Sequence, residues 1–298
     1  MSKRNLALIA ATIVSIIYGV TFTYAKDVMP EFIEPFGFIF LRVGSSVILF
    51  WMISFFGPKE KIVKSDYLTI LAAAFFGVAF NMLTFFKGLS YTSPIMGAVL
   101  MVTTPIIVLV LSAIIMKERM QNKKITGILL GLAGTITLIL YGKSMANAPN
   151  ASLGNLLIFT NAISYGFYLI IVKKLMDKYN AFTFVKWIYT FGFLMVIPFG
   201  WQEFNAVDWH LIPSNIYWKI GFVVVISTFL TYLLNLVSMR ELKPTTVAVF
   251  IYLQPLFATI FAVSLGKDTI TIIKVLSAIL IFAGVYLVTQ NKKIIRIK

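Results

Sequence analysis

Long apolar runs separated by short polar segments dominate the chain. Ten runs stand out, and each is close to the roughly 20 residues that a helix needs to cross a bilayer core. They cover Leu6–Ala25, Pro35–Phe56, Tyr67–Phe86, Ser93–Met116, Ile125–Tyr141, Leu153–Val172, Phe182–Gly200, Tyr217–Met239, Pro244–Leu265 and Ile270–Gln290. Because backbone polar groups in lipid must be satisfied within the protein, and membrane β-strands would instead alternate over about ten residues, the pattern predicts ten membrane-spanning helices. We expect the first run to be a retained helix, since it is longer than the apolar core of a signal peptide.

Composition agrees with this pattern. Of 298 residues, 59% are apolar and 12% are charged, against roughly 45–50% and about 25% in soluble domains. The mean hydropathy of +0.91 argues against a soluble globular protein, a disordered chain and a coiled coil. Because the chain has no cysteine and a single histidine, His210, in a polar segment, we predict no disulfide framework, no metal site and no cofactor.

The basic residues are unevenly divided between the two sets of loops. Eighteen of the 26 lie in one set of alternate loops or at the termini, six lie in the opposite set, and Arg42 and Lys186 lie within spans. By the positive-inside rule, both termini are predicted to be cytoplasmic, in a multi-pass protein of the cell (inner) membrane. The formal net charge of +15 is therefore interpreted as a topology signal, and we expect no nucleic-acid partner.

The two halves of the chain repeat each other. A shift of 150 residues superposes identical residues over about 70 positions, and a shift of 147 does so nearer the start. The pairs are Tyr67/Tyr217, Ile70/Ile220, Leu83/Leu233, Pro94/Pro244, Ala98/Ala248, Val99/Val249, Pro105/Pro255, Lys117/Lys267, Lys124/Lys274, Ala133/Ala283 and Gly134/Gly284, then Tyr18/Tyr165, Gly19/Gly166, Lys26/Lys173 and Met29/Met176. Each half holds five spans, and because five is odd the second half must enter the membrane inverted. Inverted repeats are typical of alternating-access transporters; a duplication without mechanistic meaning is the alternative.

These repeats carry a resemblance to a known family. In the first half the pattern comprises the segment from Asn81 to Tyr91, Ser93-Pro94, Ala98, Thr104-Pro105, Lys117-Glu118-Arg119-Met120, Gly127 and Leu130-Gly131-Leu132-Ala133-Gly134. In the second it comprises Asn235, Pro244, Ala248, Gln254-Pro255, Gly266-Lys267-Asp268 and Ala283-Gly284. The chain thus resembles the EamA-type ten-helix branch of the drug/metabolite transporter superfamily, over residues 1–145 and again over 150–298. It departs from the family pattern at Lys117, where glycine is usual, and at Asp268, where glutamate is usual.

Two prolines occupy symmetric positions near the middle of spans four and nine. Pro105 and Pro255 each remove one helical hydrogen bond and leave the carbonyl four residues earlier, at Met101 and Ile251, without its donor. Such kinks are tolerated where they face a cavity. Because Thr104 and Gln254 immediately precede the prolines, we interpret both sites as kinks that line a cavity; kinks that only shape packing are the alternative.

Arg42 lies about 10 Å inside span two, at 1.5 Å per residue. An intramembrane arginine is expensive and is a functional candidate by default. Its planar fork suits a carboxylate or phosphate, as in an amino acid or an organic acid. A guanidinium that reaches towards the outer headgroups, or that pairs with Glu34, remains open. For Lys186, near the cytoplasmic surface, we expect such a surface-seeking conformation.

Uncharged polar residues recur in the spans beside the repeat axis. Those predicted to bind substrate, besides Arg42, Thr104 and Gln254, are Tyr18, Asn81, Tyr165, Tyr168, Asn235 and Tyr252. An apolar cavity with a few convergent polar groups is the usual form of a small-ligand site. No Asp or Glu falls within a predicted span, which favours facilitated exchange or efflux over proton coupling.

Small residues mark spans five and ten. Gly127, Gly131 and Gly134 give span five a face that Ala283 and Gly284 repeat in span ten. Small residues let membrane helices approach closely. This face is predicted to pack within the chain or to form a homodimer through helices five and ten.

The fold class predicted is therefore an all-α polytopic membrane protein, with ten transmembrane helices as two inverted-topology five-helix repeats. The leading function is a secondary transporter that exports or exchanges a small metabolite, an amino acid or related solute, by alternating access. A flippase of a lipid or lipid-linked intermediate on the same fold is the main alternative. An intramembrane enzyme is disfavoured because no H-E-x-x-H helix, in-span aspartate pair or Ser/His combination occurs. A channel would show charge rings or carbonyl filters.

Overall fold

The computed structural model describes residues 2–91, 97, 100–118, 120–140, 150–264 and 270–290, and in these it contains ten helical spans and no strand. The spans are α1 (Lys3–Val28), α2 (Pro35–Ser54), α3 (Asp66–Tyr91), α4 (Thr104–Ile115), α5 (Asn122–Leu140), α6 (Ala151–Met176), α7 (Ala181–Asn205), α8 (Ser214–Glu241), α9 (Pro244–Val249, Phe250–Tyr252 and Leu253–Ser264) and α10 (Ile272–Thr289). Eight are long and apolar enough to cross a membrane, and α4 is a shorter apolar helix. The predicted all-α polytopic fold is confirmed.

Several positions used in the sequence argument lie outside the described residues. They are Ser93, Pro94, Ala98, Val99, Arg119, Lys143, Gly266, Lys267, Asp268, Lys292, Lys293, Arg296 and Lys298.

Two helices that extend beyond their apolar runs, α1 and α7, begin at a polar cap. α1 begins at Lys3 rather than Leu6, since the Ser2 hydroxyl accepts a hydrogen bond from the Asn5 backbone N–H at 3.2 Å. α7 begins directly after Asn180, whose side chain accepts from the Phe182 N–H at 3.1 Å. Hydropathy reports the part of a helix that lies in lipid, whereas capping decides where the helix ends.

The two halves pack in a symmetric, interleaved arrangement. α2 packs on its repeat mate α7, and α5 packs on its mate α10. α1 packs on α8 and α9, and its mate α6 packs correspondingly on α3 and α4. The helices α1, α8 and α9 therefore form one group and α3, α4 and α6 form a second, and each group draws helices from both halves.

The glycine faces of α5 and α10 meet each other within the chain. A Cβ added at Gly284 would lie 2.5 Å from the Gly127 carbonyl oxygen, and one added at Gly134 would lie 2.8 Å from that of Ser277. Only glycine lets the two backbones approach this closely. A homodimer through these helices would have to use their other faces, and it stays a prediction.

Two helices contain π-helical segments at equivalent positions of the repeat. They cover Phe75–Ala79 in α3 and Phe222–Leu230 in α8. Hydroxyl groups bond to carbonyls in both segments: Ser164 donates to the Phe76 oxygen at 2.7 Å, and Thr228 donates to the Val223 oxygen at 2.7 Å. Such segments are frequent at functional sites.

The helices also tighten just before the two symmetric prolines. In α9 a 3₁₀ turn covers Phe250–Tyr252, three residues before Pro255. Before Pro105, the Thr103 N–H bonds to the Leu100 oxygen at 3.1 Å, which is the i to i−3 pattern of a 3₁₀ turn. Each proline thus follows a local break in the helical ladder.

The end of α4 shows why glycine is usual at the position of Lys117 in the family pattern. Lys117, directly after the helix, has φ +52°, in the left-handed region that favours glycine. The Glu118 N–H then bonds back to the Ser112 oxygen at 3.2 Å, which closes a helix terminus of the kind that usually carries glycine. The family's usual glycine fits this conformation better than lysine does.

We predict that Lys117→Gly stabilises the protein by about 0.5–1 kcal/mol, because it removes the cost of placing a side chain in the left-handed region. Thermal unfolding of the purified protein in detergent measures this. The control is Lys123→Gly, which removes the same charge inside the first turn of α5 and should cost up to about 1 kcal/mol. A lower melting temperature for Lys117→Gly would contradict the interpretation.

Candidate functional site

A cavity of about 140 Å³ lies where the two halves meet. A smaller one of about 50 Å³ adjoins it, since five residues line both: Tyr18, Arg42, Asn81, Met82 and Tyr165. The walls of the larger cavity are completed by Thr21, Ala25, Phe85, Phe86, Leu89, Met101, Asn161, Ile251 and Gln254. The repeat mates Tyr18 and Tyr165 both line it, as do the mates Met101 and Ile251, so the cavity straddles the symmetry axis of the repeat.

Most of the substrate-binding candidates named from the sequence line one of these cavities. Tyr18, Arg42, Asn81 and Tyr165 line both, Gln254 lines the larger, and Tyr168 and Asn235 line the smaller. Pro105 and Pro255 line neither, but Met101 and Ile251, whose carbonyls the prolines leave without helical donors, line the larger.

Thr104 and Tyr252 lie elsewhere, although the sequence analysis grouped them with the site. Both are fully buried and line neither cavity. The Tyr252 ring packs against Gly131, where an added Cβ would lie 2.3 Å from Cδ2 of the ring. Because Gly131 has no side chain, the Tyr252 ring can pack between α9 and α5.

Arg42 is buried inside the bundle, with 4% of its surface exposed. Its Nε donates to the Thr228 hydroxyl at 2.9 Å, and its guanidinium carbon lies 4.7 Å from the centre of the Phe86 ring. Its Nη1 has no hydrogen-bond partner. Among the described residues no ion pair joins Arg42 to Glu34, and this burial is not that of a side chain extended to the headgroups. Arg42 lines both cavities, and an unpaired guanidinium nitrogen is a strong hydrogen-bond donor.

A tyrosine cluster adjoins the arginine. The rings of Tyr165 and Tyr168 stack at 5.7 Å, Tyr168 lies 5.7 Å from Tyr232, and Tyr232 meets Tyr189 edge to face at 4.8 Å. The hydroxyl of Tyr189 is buried without a partner. Phenol groups donate as well as accept hydrogen bonds, so this side of the cavity is rich in donors.

An asparagine on α6 faces the larger cavity from another side. Asn161 is 2% exposed, and its Nδ2 donates to the Asn81 backbone oxygen at 2.7 Å. Its Oδ1 has no partner. Because a carbonyl oxygen only accepts, the amide is held with its donor on α3 and one acceptor free.

Among the described residues, no acidic side chain lines either cavity. Within the described part of the chain, no cluster of three or more His, Asp or Glu is arranged to hold a metal ion. As far as the structure describes its lining, the polar chemistry of the site therefore consists of one cation, several hydroxyls and neutral amides.

Six polar lining residues were not among the substrate-binding residues predicted from the sequence: Thr21, Asn161, Tyr189, Ser227, Thr228 and Tyr232. Ser227 and Thr228 are a polar pair in the middle of an otherwise apolar run, which is a usable signal. Tyr189 lies among many aromatic residues of α7 and carries no such signal.

Contacts between helix groups close one end of the bundle. We call this the terminal end, because Arg4 of α1 and Thr289 of α10 hydrogen-bond there. Lys173 Nζ, on α6, donates to the Met239 oxygen at 2.9 Å and to the Arg240 oxygen at 3.3 Å, in the last turn of α8. This lysine joins the group α3, α4 and α6 to the group α1, α8 and α9.

Two further contacts reinforce the same end. The Ser238 hydroxyl donates to the Ala7 oxygen at 3.0 Å and so ties α8 to α1. Glu118, beyond α4, forms ion pairs with Lys124 and with Lys243, the latter at 3.3 Å. The Lys173 hydrogen bonds and the Glu118–Lys243 ion pair thus hold the two helix groups together on this side of the cavities.

Known proteins resemble this chain in sequence and in fold. The model of the EamA-like transporter family matches residues 5–140 and 152–290. The uncharacterized transporter YyaM of Bacillus subtilis (strain 168) is 26% identical over 275 residues, 91% of this chain and 89% of that protein. An uncharacterized transporter of Archaeoglobus fulgidus is 24% identical over 297 residues, 98% and 99% of the two chains. A solved crystal structure with 14% sequence identity has a TM-score of 0.76 and covers 96% of this chain and 97% of its own.

We predict that Gly77→Ala destabilises the protein, because an added Cβ would lie 2.1 Å from Cδ2 of Tyr168. Overpacking of this kind costs about 1–3 kcal/mol, against a helix-propensity gain of up to about 1 kcal/mol. Thermal unfolding in detergent measures the difference. Gly221→Ala is the matched control, since nothing lies within 4 Å of its added Cβ, and it should be neutral or stabilising. Equal stabilisation by both changes would contradict the contact with Tyr168.

Proposed function

The chain belongs to the EamA-like transporter family, and from this premise we propose that it exports or exchanges a small metabolite, an amino acid or related solute, by alternating access. The observation that carries the proposal is the buried, unpaired Nη1 of Arg42 in a cavity between two inverted halves. The proposed location is the cell (inner) membrane, with both termini in the cytoplasm, as the charge distribution predicts.

Arg42 is proposed to bind the carboxylate of the solute. A buried cation is costly unless it is paired with an anion, and the described residues that line the two cavities offer none. Thr228 and the Phe86 ring hold the guanidinium in place, so its free nitrogen is preorganised for an incoming oxygen. The absence of a nearby acid also keeps the charge available for the solute.

The apolar walls suit the rest of such a molecule. Met82, Phe85, Phe86 and Leu89 form one continuous side of α3 towards the larger cavity. Apolar walls with a few placed polar groups are the common form of small-ligand sites. The same walls would also suit an acyl chain, so the flippase alternative is included as an arm of the transport experiment.

Alternating access is proposed to depend on two equivalent lysines. Lys173 holds the terminal end closed through the last carbonyls of α8. Its repeat mate is Lys26 on α1, whose side chain lies outside the described residues, and the repeat aligns the end of α8 with Leu89 and Ser90 on α3. From the repeat alone, we infer that Lys26 has the equivalent role at the opposite end. A cation is favourable at either helix C-terminus.

We predict that Arg42→Ala weakens uptake of carboxylate-bearing solutes by about 10- to 100-fold in apparent affinity. This corresponds to the roughly 1.5–3 kcal/mol of a charge-assisted hydrogen bond. Counterflow into proteoliposomes, against a panel of amino acids with and without an imposed pH gradient, measures it. Lipid scrambling is assayed in the same vesicles.

Lys186→Met is the control for the loss of an intramembrane cation. Lys186 lies over the Trp51 ring, 4.5 Å from its centre, and lines neither cavity, so its removal should leave affinity unchanged. Intact affinity in Arg42→Ala would make Arg42 structural. Lipid scrambling without any solute flux would replace the transporter proposal with the flippase.

We also predict opposite effects of Lys173→Met and Lys26→Met on access to the cavity. Because the chain has no cysteine, Met82→Cys supplies a single reporter thiol in the cavity lining. Lys173→Met should raise its labelling from the terminal side by about tenfold, since one charged hydrogen bond is lost from the closed state. Lys26→Met should lower that labelling.

Lys174→Met controls for the change in charge at the same end, because Lys174 is exposed beside Lys173. Labelling of Met82→Cys in the Lys174→Met variant should match its labelling in the protein that carries Met82→Cys alone. A change in the same direction for both Lys26→Met and Lys173→Met would contradict the reciprocal arrangement.

A further inference from the structure

The segment that joins α2 to α3, residues 55–65 (the α2–α3 loop), lies at the terminal end, because α1 begins at that end and α2 runs back to it. Its three lysines, Lys59, Lys61 and Lys64, are all exposed, and across the described ranges of the chain none of them forms an ion pair. We propose that the α2–α3 loop binds the phosphate headgroups of anionic phospholipids in the adjoining leaflet of the bilayer. This goes beyond the transported solute and requires only that the chain spans a membrane.

The one acidic residue within the α2–α3 loop is turned towards α7. Glu60 Oε2 accepts a hydrogen bond from the Asn180 backbone N–H at 2.8 Å and another from the Thr183 hydroxyl at 2.7 Å. A carboxylate at the start of a helix is also favoured by the helix dipole. Glu60 therefore caps α7, although it lies in sequence between Lys59 and Lys61, and the charges of the two lysines remain for an anion from outside the protein.

The loop is also fixed where it meets α3. Asp66, the first residue of α3, accepts from Lys178 Nζ at 2.9 Å and from the Tyr179 hydroxyl at 2.7 Å. The same hydroxyl accepts from the Val63 backbone N–H at 3.1 Å, and Ile62 packs against the apolar core. A loop held at these points presents its lysines from a fixed backbone, so little further ordering is needed when an anion binds.

Two exposed aromatic rings adjoin the lysines. Phe55 and Phe56 directly follow the last residue of α2 and are 78% and 92% exposed. Exposed Met52 on α2 and Leu68 on α3 continue the apolar surface on either side of the loop. Lysines beside exposed apolar side chains suit a lipid surface, where the cations meet the headgroups and the apolar groups meet the acyl chains. A soluble phosphate would use only the lysines, so the combination favours a phospholipid.

The positive-inside rule accounts for the number of lysines at this end but not for their arrangement. Orientation depends on how many Lys and Arg residues the loops carry. It does not require that the acid of a loop be engaged elsewhere, or that aromatic rings be exposed beside the lysines. Other lysines at the same end are arranged differently, since Lys124 and Lys243 both pair with Glu118.

The test is native mass spectrometry of the purified full-length protein in detergent, titrated with phosphatidylglycerol or with phosphatidylcholine of the same acyl chains. The readout is the ratio of the two lipid affinities, which a general loss of folded protein does not change. We expect a preference for phosphatidylglycerol. The combined change Lys59→Gln, Lys61→Gln and Lys64→Gln should reduce this preference at least about tenfold, since each lysine near an anionic surface contributes about fivefold in affinity.

The matched control is the combined change Lys3→Gln, Lys123→Gln and Lys174→Gln, which removes three exposed charges from the same end but from three separate segments. It should leave most of the preference in place. Soluble glycerol 3-phosphate, added as a competitor, should not displace phosphatidylglycerol. No preference in the unmodified protein, or an equal loss in the two triple variants, overturns the inference. Displacement by glycerol 3-phosphate also overturns it, because the loop would then bind a soluble anion rather than a lipid.

Discussion

A bilayer offers no water to an exposed backbone group, and this constraint organises the whole molecule. It requires helices nearly everywhere, and it makes every break in a helix a place where another residue must take over the lost bond. The chain breaks its helices at two π segments and before two prolines, in symmetric pairs. Hydroxyl and amide side chains take over at the π segments. The cavity lies among these breaks, where polar groups can remain partly unsatisfied until a solute arrives.

The same constraint decides which features could be predicted from the sequence. The number and order of the helices follow from hydropathy, because a lipid-facing segment has few other options. The positions of the helix ends were predicted less accurately than the number of helices, because they depend on single capping residues such as Ser2 and Asn180. The π segments were not predicted, because an i to i+5 hydrogen bond has no residue signature.

Several features of the candidate site could not be predicted from the sequence pattern alone. Arg42 stands out because an arginine inside an apolar run is rare, and its burial could be suspected, but its partner Thr228 could not be identified. Tyr252 was grouped with the site because it is a tyrosine near a symmetric proline. Its direction depends on Gly131, 121 positions away in the chain, which receives its ring. A span that is apolar on all sides does not reveal which face turns inwards, so only the packing distinguishes a cavity residue from a core residue.

The cavity is lined both by residues that the repeat pairs and by residues that it does not pair. Tyr18 and Tyr165, and Met101 and Ile251, line the cavity as repeat mates, so the walls are nearly equivalent when viewed from either half. Arg42 and Asn161 are different: the repeat places no second arginine and no second asparagine opposite them. Because the symmetric residues are alike in the two halves, they can line the cavity whether it is open to one side of the membrane or to the other. In the proposed function, an asymmetric residue such as Arg42 gives the solute one orientation within that site. A carrier built from two similar halves thus needs its specificity determinants to break the symmetry on which its motion depends.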